Sequence, residues 1–242
     1  MRAAAEHLRA QSSEWGVELE PSQLALLRAY ADLLAGYKHA NVIGTTDTQQ
    51  IITEHLTDSL SCLLVGDLRS SRSVIDVGTG GGLPGVPLAI SCSTLSATLL
   101  EATEKKVRFL NHAREHLGLQ NLTLIWGRVE EEGKRVANRE AFDVSVARAV
   151  AELPVVVEYC APLVRIGGQI LAMKGRLTEE ELSRGVAASR ELGIEVREVR
   201  KVQYRAELPQ KNRHLVVFDK IFATPENFPR RVGLAKKRPL GS

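Results

Sequence analysis

The stretch Ile75-Asp76-Val77-Gly78-Thr79-Gly80-Gly81-Gly82 decides the fold, because it has the pattern of a short buried strand that runs into a glycine-rich turn. A helix is predicted to start just after the turn, at Pro84 or Gly85. In open α/β sheets, ligands bind at the carboxyl edge next to such strand-to-helix turns. Glycine is needed there because side chains would prevent a close approach of the backbone. The stretch therefore predicts a ligand-binding parallel sheet.

Further β-rich runs alternate with helical stretches after this turn, which predicts a parallel sheet covered by helices. The predicted strands are Val74–Val77, Ala97–Leu100, Leu122–Trp126, Phe142–Ala147 and Gln169–Met173. The predicted helices include Glu104–Leu117, ended by Gly118, and Leu153–Leu163, ended by Gly167-Gly168. Two more strands, about Glu195–Tyr204 and His214–Ile221, are joined by a loop around Pro209 that is too short for a crossover helix. They should pair antiparallel. By analogy, this is the mostly parallel seven-stranded sheet of Rossmann-like class I methyltransferases, an α/β fold.

The chain divides into three predicted parts. Apolar positions at helical spacing after Pro21-Ser22 indicate helices at about 3–14, 21–37 and 47–65. We therefore expect a helical N-terminal extension over residues 1–66, the sheet domain over 67–222, and a basic C-terminal tail over 223–242.

Composition excludes several classes of protein. No apolar run approaches the roughly 18–20 residues of a membrane span, and the N-terminus lacks the apolar stretch of a signal peptide. Cys62, Cys92 and Cys160 are odd in number and far apart, which indicates neither disulfides nor a cysteine zinc site. We expect a cytoplasmic, soluble monomer that does not bind a membrane or a metal.

The positive charge is concentrated near the C-terminus. The net charge of the chain is +3, yet the last 22 residues hold five basic side chains against one acid, Glu226. Clustered Lys and Arg residues suit the phosphate backbone of a nucleic acid. The alternative is a solvated tail that aids solubility. The candidate RNA-binding residues in this and the preceding basic stretch are Arg197, Arg200, Lys201, Arg205, Arg230, Arg231, Lys236, Lys237 and Arg238.

The glycine turn favours a methyl donor over a dinucleotide. A dinucleotide fingerprint needs G-x-G-x-x-G, but Leu83 stands where the third glycine belongs. The carboxylate of Asp76 would repel a pyrophosphate and attract the methionine ammonium of S-adenosylmethionine. A nicotinamide-dependent oxidoreductase remains the alternative class.

Acidic residues follow the next two strands. Glu101 ends the second strand, about 20 residues past the turn, where a carboxylate can accept both ribose hydroxyls. Val129 and Glu130 follow the third strand and would border the adenine. Structural alternatives stay open, since Asp76 could cap a turn, Glu101 could cap the helix from Thr103, and Glu130 could be a first-turn acid. The candidate cofactor-binding residues are Asp76, Gly78, Gly80, Leu83, Glu101, Ala102, Thr103, Val129, Glu130 and Arg148.

Two apparent catalytic motifs are set aside. His112 and His116 match a zinc pattern, but the apolar face of their helix turns both towards solvent, so no metal is expected. Cys160 lies in the middle of a predicted helix, which disfavours a covalent mechanism.

The sequence resembles the bacterial ribosomal RNA small subunit methyltransferase G family, also called glucose-inhibited division protein B. The resemblance covers nearly the whole chain. It is carried by residues 55–60 (HLTDSL), 76–90 (DVGTGGGLPGVPLAI), 105–110 (KKVRFL), 127–130 (GRVE), 147–151 (ARAVA), 173–175 (MKG) and 228–233 (FPRRVG). One departure is Asn41-Val42-Ile43-Gly44, where the family usually has Asn-Leu-Thr.

The resemblance implies methylation of guanine N7 in small-subunit (16S) rRNA, with rRNA or the 30S particle as partner. It implies cofactor contacts for Gly78, Leu83, Val129, Glu130 and Arg148, and His55 joins the RNA-binding candidates. The other possibilities are a methyltransferase for another RNA, a protein or a small molecule, and an RNA-binding protein without activity.

Guanine N7 carries a lone pair and no proton, so a direct in-line transfer needs no general base and depends on alignment. A donor aimed at N7 would occupy the attacking lone pair. The catalytic candidates Arg148 and Lys174 are therefore expected to touch guanine O6, a phosphate or the cofactor carboxylate. The family resemblance favours the cofactor carboxylate for Arg148, and the alternative is a surface arginine paired with Glu152.

Overall fold

A seven-stranded sheet forms the centre of the protein. The computed structural model describes residues 2–65, 68–205 and 212–241. The strands are β1 Ser73–Val77, β2 Ser96–Glu101, β3 Leu122–Trp126, β4 Phe142–Arg148, β5 Val164–Lys174, β6 Ile194–Lys201 and β7 His214–Lys220. Their order is β3-β2-β1-β4-β5-β7-β6. The neighbouring strands among β1 to β5 pair parallel, and β7 is antiparallel to both β5 and β6. The predicted mostly parallel sheet is confirmed.

The last two strands pair antiparallel as predicted, with β7 inside the sheet and β6 at its edge. Leu215 to Phe218 of β7 are buried on both faces, as a central strand requires. In β6, buried or half-buried side chains alternate with exposed ones, which is typical of an edge strand with one solvated face.

The helices begin and end close to where the sequence places them. They are α1 Arg2–Glu14, α2 Pro21–Gly36, α3 Thr48–Gln50, α4 Thr57–Leu60, α5 Gly85–Ser91, α6 Glu104–Leu117, α7 Val129–Glu132, α8 Leu153–Cys160, α9 Glu179–Glu191 and α10 Leu234–Lys237. A π-helical turn, Ile51–Leu56, joins α3 to α4, and a 3₁₀ turn, Ser61–Leu64, follows α4. The third predicted helix is thus one helical run whose hydrogen bonding changes along its length. Such π turns are frequent at functional sites.

The predicted C-terminal end of the helix after the fourth strand, Leu163 followed by Gly167-Gly168, was wrong. Helix α8 ends at Cys160, a 3₁₀ turn containing Pro162 follows, and β5 starts at Val164. Gly167, with φ of +79°, and Gly168 therefore lie within β5 and do not end a helix. Proline ends the helix because it has no backbone N–H, and this leaves the β-branched Val164 free to begin the strand.

Two apolar clusters cover the two faces of the sheet. Alternate residues of β1 point to opposite clusters, with Val74 in one and Ile75 in the other. The first cluster joins the N-terminal helices to α5 and α6, for example through Leu27, Leu34 and Leu110. The residues predicted as an N-terminal extension therefore share the core of the sheet. In the part of the chain that the structure describes, no helix has both the length and the apolarity needed to cross a membrane.

A close approach to the backbone of Gly82 in this core gives a stability prediction. A Cβ on Gly82, whose φ is +90°, would lie 2.7 Å from both Tyr30 Oη and Val86 Cγ2. Gly118 also has a left-handed φ, +66°, but a Cβ there meets no described atom within 4 Å. We expect Gly118→Ala to cost about 1 kcal/mol of backbone strain, and Gly82→Ala to cost a further ~1–3 kcal/mol from overpacking. Urea unfolding measures both free energies, and equal losses would contradict the described packing.

Candidate active site

The glycine turn after β1 is held from within by Asp76. Gly78, Gly80 and Gly82 all have left-handed φ angles, which explains the need for glycine. Asp76 is buried, and its Oδ2 accepts hydrogen bonds from Thr79 Oγ1 at 2.6 Å and from the backbone N–H of Gly85 at 2.8 Å. The carboxylate therefore connects the turn to the start of α5. These are the contacts expected if Asp76 caps the turn, which was the structural alternative to a cofactor contact.

This buried carboxylate has a perturbed pKa. Burial raises the pKa of Asp76 to about 6, against the hydrogen bonds from Thr79 and Gly85 and the attraction of Arg148, which lower it. Its Oδ1 has no hydrogen-bond partner among the described residues. A buried carboxylate with one oxygen unsatisfied is unfavourable for folding alone, which points to a functional role.

Helix α2 braces the turn from outside. Tyr30 is buried, and its hydroxyl donates to the carbonyl oxygen of Gly81. A Cβ on Gly81 would lie 2.6 Å from the carbonyl oxygen of Val42, so the segment after α2 also packs directly on the turn. Sequence reasoning placed Tyr30 on the apolar face of α2 and did not identify this contact, because its partner is a backbone atom 51 residues away.

A cavity of about 410 Å³ opens beside the turn. We call it the first cavity. Six of the predicted cofactor residues line it: Gly78, Glu101, Ala102, Thr103, Val129 and Glu130. Asp76, Gly80 and Leu83 belong to the turn, outside the lining that the described residues form. The first cavity lies at the carboxyl ends of β1, β2 and β3, where the strand pattern placed it.

Glu101 connects two turns at the mouth of the first cavity. One carboxylate oxygen accepts from the backbone N–H of Gly80 at 3.0 Å, and the other accepts from the N–H of Thr103 at 2.8 Å. The alternative of Glu101 as the N-cap of this helix is wrong, because α6 begins at Glu104 and its N-cap is Thr103, whose N–H Glu101 accepts. The same carboxylate lines the first cavity, so the structural and the binding interpretations are compatible.

Glu130 joins the first cavity to the C-terminal segment. Its Oε1 accepts from the Tyr159 hydroxyl at 3.1 Å and from the backbone N–H of Gly233 at 2.9 Å. Burial and the charge of Glu130 raise the pKa of Tyr159, so this tyrosine stays a hydrogen-bond donor. Val232, Gly233 and Lys236 complete the wall of the cavity.

The predicted basic C-terminal tail over 223–242 packs against the sheet domain in its described residues, up to 241. Phe228 and Ala235 are buried, and Arg230 donates four hydrogen bonds, from its backbone N–H and its guanidinium, to the fully buried carboxylate of Glu158, the shortest 2.5 Å long. Because this ion pair fixes the segment to α8, Arg230 has a structural role and is withdrawn as an RNA-binding candidate. The charge pattern alone could not show that Glu158 is buried.

Arg148 and Lys174 lie beside a second cavity, of about 190 Å³, at the carboxyl ends of β4 and β5. Arg148 Nη1 lies 3.3 Å from Asp58 Oδ2 and donates to the carbonyl oxygen of His55. The predicted alternative of a pair with Glu152 is wrong, since Glu152 pairs with Arg184 at 3.1 Å. Lys174 Nζ donates to the carbonyl oxygen of Ala151 at 2.9 Å and pairs with Glu181 at 2.6 Å.

Asp58 is the centre of this second site, and sequence reasoning did not single it out. It is 3% exposed, and Arg213 Nε lies 3.2 Å from its Oδ1. The Tyr204 hydroxyl donates to the same oxygen at 3.1 Å. The sequence signal that could have identified Asp58 was its position within HLTDSL, residues 55–60, which carries part of the family resemblance.

The remaining RNA-binding candidates fall into three groups. Arg197 pairs with Asp219, Arg200 with Glu198, and Arg205 with Glu14. His55 lines the second cavity. Five other candidates expose their side chains: Lys201, Arg231, Lys236, Lys237 and Arg238.

The motifs set aside from the sequence have the expected environments. His112 and His116 are both exposed on α6. Cys160 is buried, and burial raises the pKa of its thiol to about 12, which keeps it protonated and non-nucleophilic. Within the described ranges, no group of three or more His, Cys, Asp or Glu residues is arranged to hold a metal.

Comparison with known proteins gives consistent matches. The family described as rRNA small subunit methyltransferase G matches residues 23–216. Ribosomal RNA small subunit methyltransferase G of Rubrobacter xylanophilus is 46% identical over 240 residues, which cover 99% of this chain and 92% of that protein. The protein of the same name from Moorella thermoacetica is 40% identical over 236 residues, covering 96% and 97% of the two chains.

Among solved structures, the mitomycin 7-O-methyltransferase superposes with a TM-score of 0.54 at 14% identity, covering 71% of this chain and 56% of that chain. This likeness concerns the fold, the Rossmann-like sheet of class I methyltransferases. The family match includes the glycine turn, Glu101, Glu130 and Arg148. The chain therefore belongs to the rRNA small subunit methyltransferase G family.

Proposed function

We propose that the protein binds S-adenosylmethionine in the first cavity and methylates guanine N7 of 16S rRNA by direct in-line transfer. The observation that carries this proposal is the convergence of Gly78, Glu101 and Glu130 on one cavity beside the buried carboxylate of Asp76. Family membership supports the rRNA substrate.

The lining of the first cavity fits this cofactor. Glu101 offers carboxylate oxygens for ribose hydroxyls, and Val129 and Glu130 border the space for the adenine. An added Cβ on Gly80 would meet no described atom within 4 Å, so the backbone here is open to a ligand. The unsatisfied Oδ1 of Asp76 supplies negative charge behind the turn, which suits a cationic ligand.

The residues around the site position the reactants and transfer no proton. When bound, S-adenosylmethionine supplies the electrophilic methyl group. Guanine N7 attacks with its own lone pair, so the rate depends on alignment. Arg148 and Lys174 line only the second of the two cavities, so their positive charges would face the RNA and not the cofactor carboxylate. Their present partners, Asp58 and Glu181, fix both side chains at the junction of the two cavities.

The first prediction tests the product. We expect the protein to transfer labelled methyl to small-subunit particles that lack the modification. Borohydride and aniline treatment should then cleave the 16S rRNA at the new 7-methylguanine. Methyl incorporation without cleavage would contradict the N7 assignment, and absence of transfer would contradict the proposed activity.

The second prediction concerns pH and the charge of Asp76. Because its pKa in the free protein is about 6, Asp76 is largely protonated at pH 5.0 and ionised at pH 7.5. The ionised form attracts a sulfonium, so affinity for S-adenosylmethionine should rise by up to about tenfold over this interval. S-adenosylhomocysteine has the same amino and carboxyl groups but a neutral sulfur, and its affinity should change less. Calorimetry measures both ligands.

Asp76→Asn is the matched control for this measurement, because an amide oxygen still accepts from Gly85. The difference between the two ligands should disappear in this variant. Identical pH profiles for both ligands in the wild-type protein would exclude a role for Asp76 in attracting the sulfonium.

The third prediction concerns the exposed cations of the C-terminal segment. Replacing Arg231, Lys237 and Arg238 with Gln should weaken RNA binding. It should also reduce the slope of log K against log salt by about 0.7 for each phosphate that the variant no longer neutralises. These side chains are exposed, so the fold should be retained.

The control variant also removes three positive charges, but at the amino ends of the parallel strands. It replaces Arg72, Arg165 and Arg190 with Gln. That triple variant should keep the wild-type slope. Equal salt slopes for the two triple variants would show that the C-terminal cations have no specific role in RNA binding.

A further inference from the structure

The second cavity is lined by Arg148, Lys174 and eight further residues. It adjoins the first cavity across the turn after β4, with Ala149 in the lining of the second and Val150 in the lining of the first. Ala149 has a left-handed φ of +56°, which is unfavourable for a residue with a Cβ. Such strain is found at functional sites that the surrounding structure holds in place.

The polar groups of the second cavity have complementary charges. Asp58 and Arg213 form an ion pair of 3.2 Å in its lining. Gly175 gives this arginine its position, because a Cβ there would lie 2.9 Å from Arg213 Nη1. Met173 and Leu215 add apolar surface beside the ion pair. A planar base that carries both donors and acceptors fits such a lining.

A phosphate fits this cavity less well than guanine does. The cations Arg148, Lys174 and Arg213 would suit a phosphate, but a phosphate ester has no N–H to donate to the buried carboxylate of Asp58 in the same lining. Guanine instead carries the O6 acceptor next to the N1–H and N2–H₂ donors, so a guanidinium beside a carboxylate matches its Watson–Crick edge. Adenine presents a donor at position 6 and would face the guanidinium unfavourably.

We propose that the second cavity receives the target guanine, with Arg213 donating to O6 and Asp58 accepting from the N1 and N2 hydrogens. This inference rests on the proposed function and names its base-recognition residues. Recognition through the Watson–Crick edge leaves N7 without a protein donor and free to face the first cavity across Ala149. The target guanine must be unpaired or turned out of its stack to enter.

Base analogues at the methylated position test the proposal. Inosine lacks the N2 amine, and 2-aminopurine lacks O6 and the N1 hydrogen, yet both retain N7. In a 16S rRNA fragment that the wild-type protein methylates, inosine should lower kcat/KM by about 10- to 100-fold, the value of one hydrogen bond to a charged group, and 2-aminopurine, which loses two, should lower it further. Arg213→Gln should lower kcat/KM for guanine and reduce the discrimination against 2-aminopurine. Asp58→Asn should reduce the discrimination against inosine.

Two controls separate recognition from folding. Arg165→Gln breaks an arginine–aspartate pair of 2.7 Å with Asp143, at the opposite edge of the sheet, and should leave all ratios unchanged. Calorimetric affinity of Arg213→Gln for S-adenosylmethionine should stay within about twofold of the wild type, because Arg213 lines only the second of the two cavities.

The outcomes distinguish the two proposals. If guanine-containing RNA yields no 7-methylguanine, the proposed function fails. If it does, and inosine and 2-aminopurine are methylated as fast as guanine by the wild-type protein, the function stands and the assignment of the second cavity is overturned. Discrimination that persists unchanged in both Arg213→Gln and Asp58→Asn would overturn it as well.

Discussion

The buried carboxylate of Asp76 fixes the turn on which both cavities depend. Its Oδ2 holds Thr79 and the first residue of α5 together, and Gly78, Gly80 and Gly82 of the same turn take left-handed φ angles that only glycine adopts readily. The outer side of this turn then meets Tyr30 of α2 without intervening side chains. The N-terminal helices are thus part of the site architecture, and the same helical run supplies His55 and Asp58 to the second cavity.

This carboxylate lowers the stability of the fold that it organises. A pKa raised from 3.8 to about 6 corresponds to roughly 3 kcal/mol at neutral pH. The pKa is higher in the folded than in the unfolded chain, so this penalty is absent below about pH 3.8, grows between about pH 3.8 and 6, and is constant above that. An amide would keep the hydrogen bond from Gly85 without that loss. Under the proposed function, attraction of a cationic methyl donor explains why a charge stands at this position.

The sequence was informative where local pattern determines structure. The glycine turn, the face of α6 that turns His112 and His116 outward, and the antiparallel pairing of β6 with β7 all follow from spacing and composition. Contacts between distant residues were not predictable in this way. Arg148 pairs with a carboxylate 90 residues earlier, and Arg230 with one 72 residues earlier. The family resemblance singled out Arg148 and the charge pattern singled out Arg230, and only the fold shows which carboxylates meet them.

The carboxylates beside the first cavity and the guanidinium in the second have a consequence for the reaction under the two proposals. Methyl transfer moves a positive charge from the sulfur in the first cavity, near Asp76, Glu101 and Glu130, to the base in the second, near Arg213. The spent cofactor loses the attraction of the carboxylates. The 7-methylguanine cation gains repulsion from the guanidinium but keeps the attraction of Asp58. The charge arrangement therefore weakens binding of the spent cofactor and limits how tightly the methylated base is held, which favours exchange of both products after each turnover.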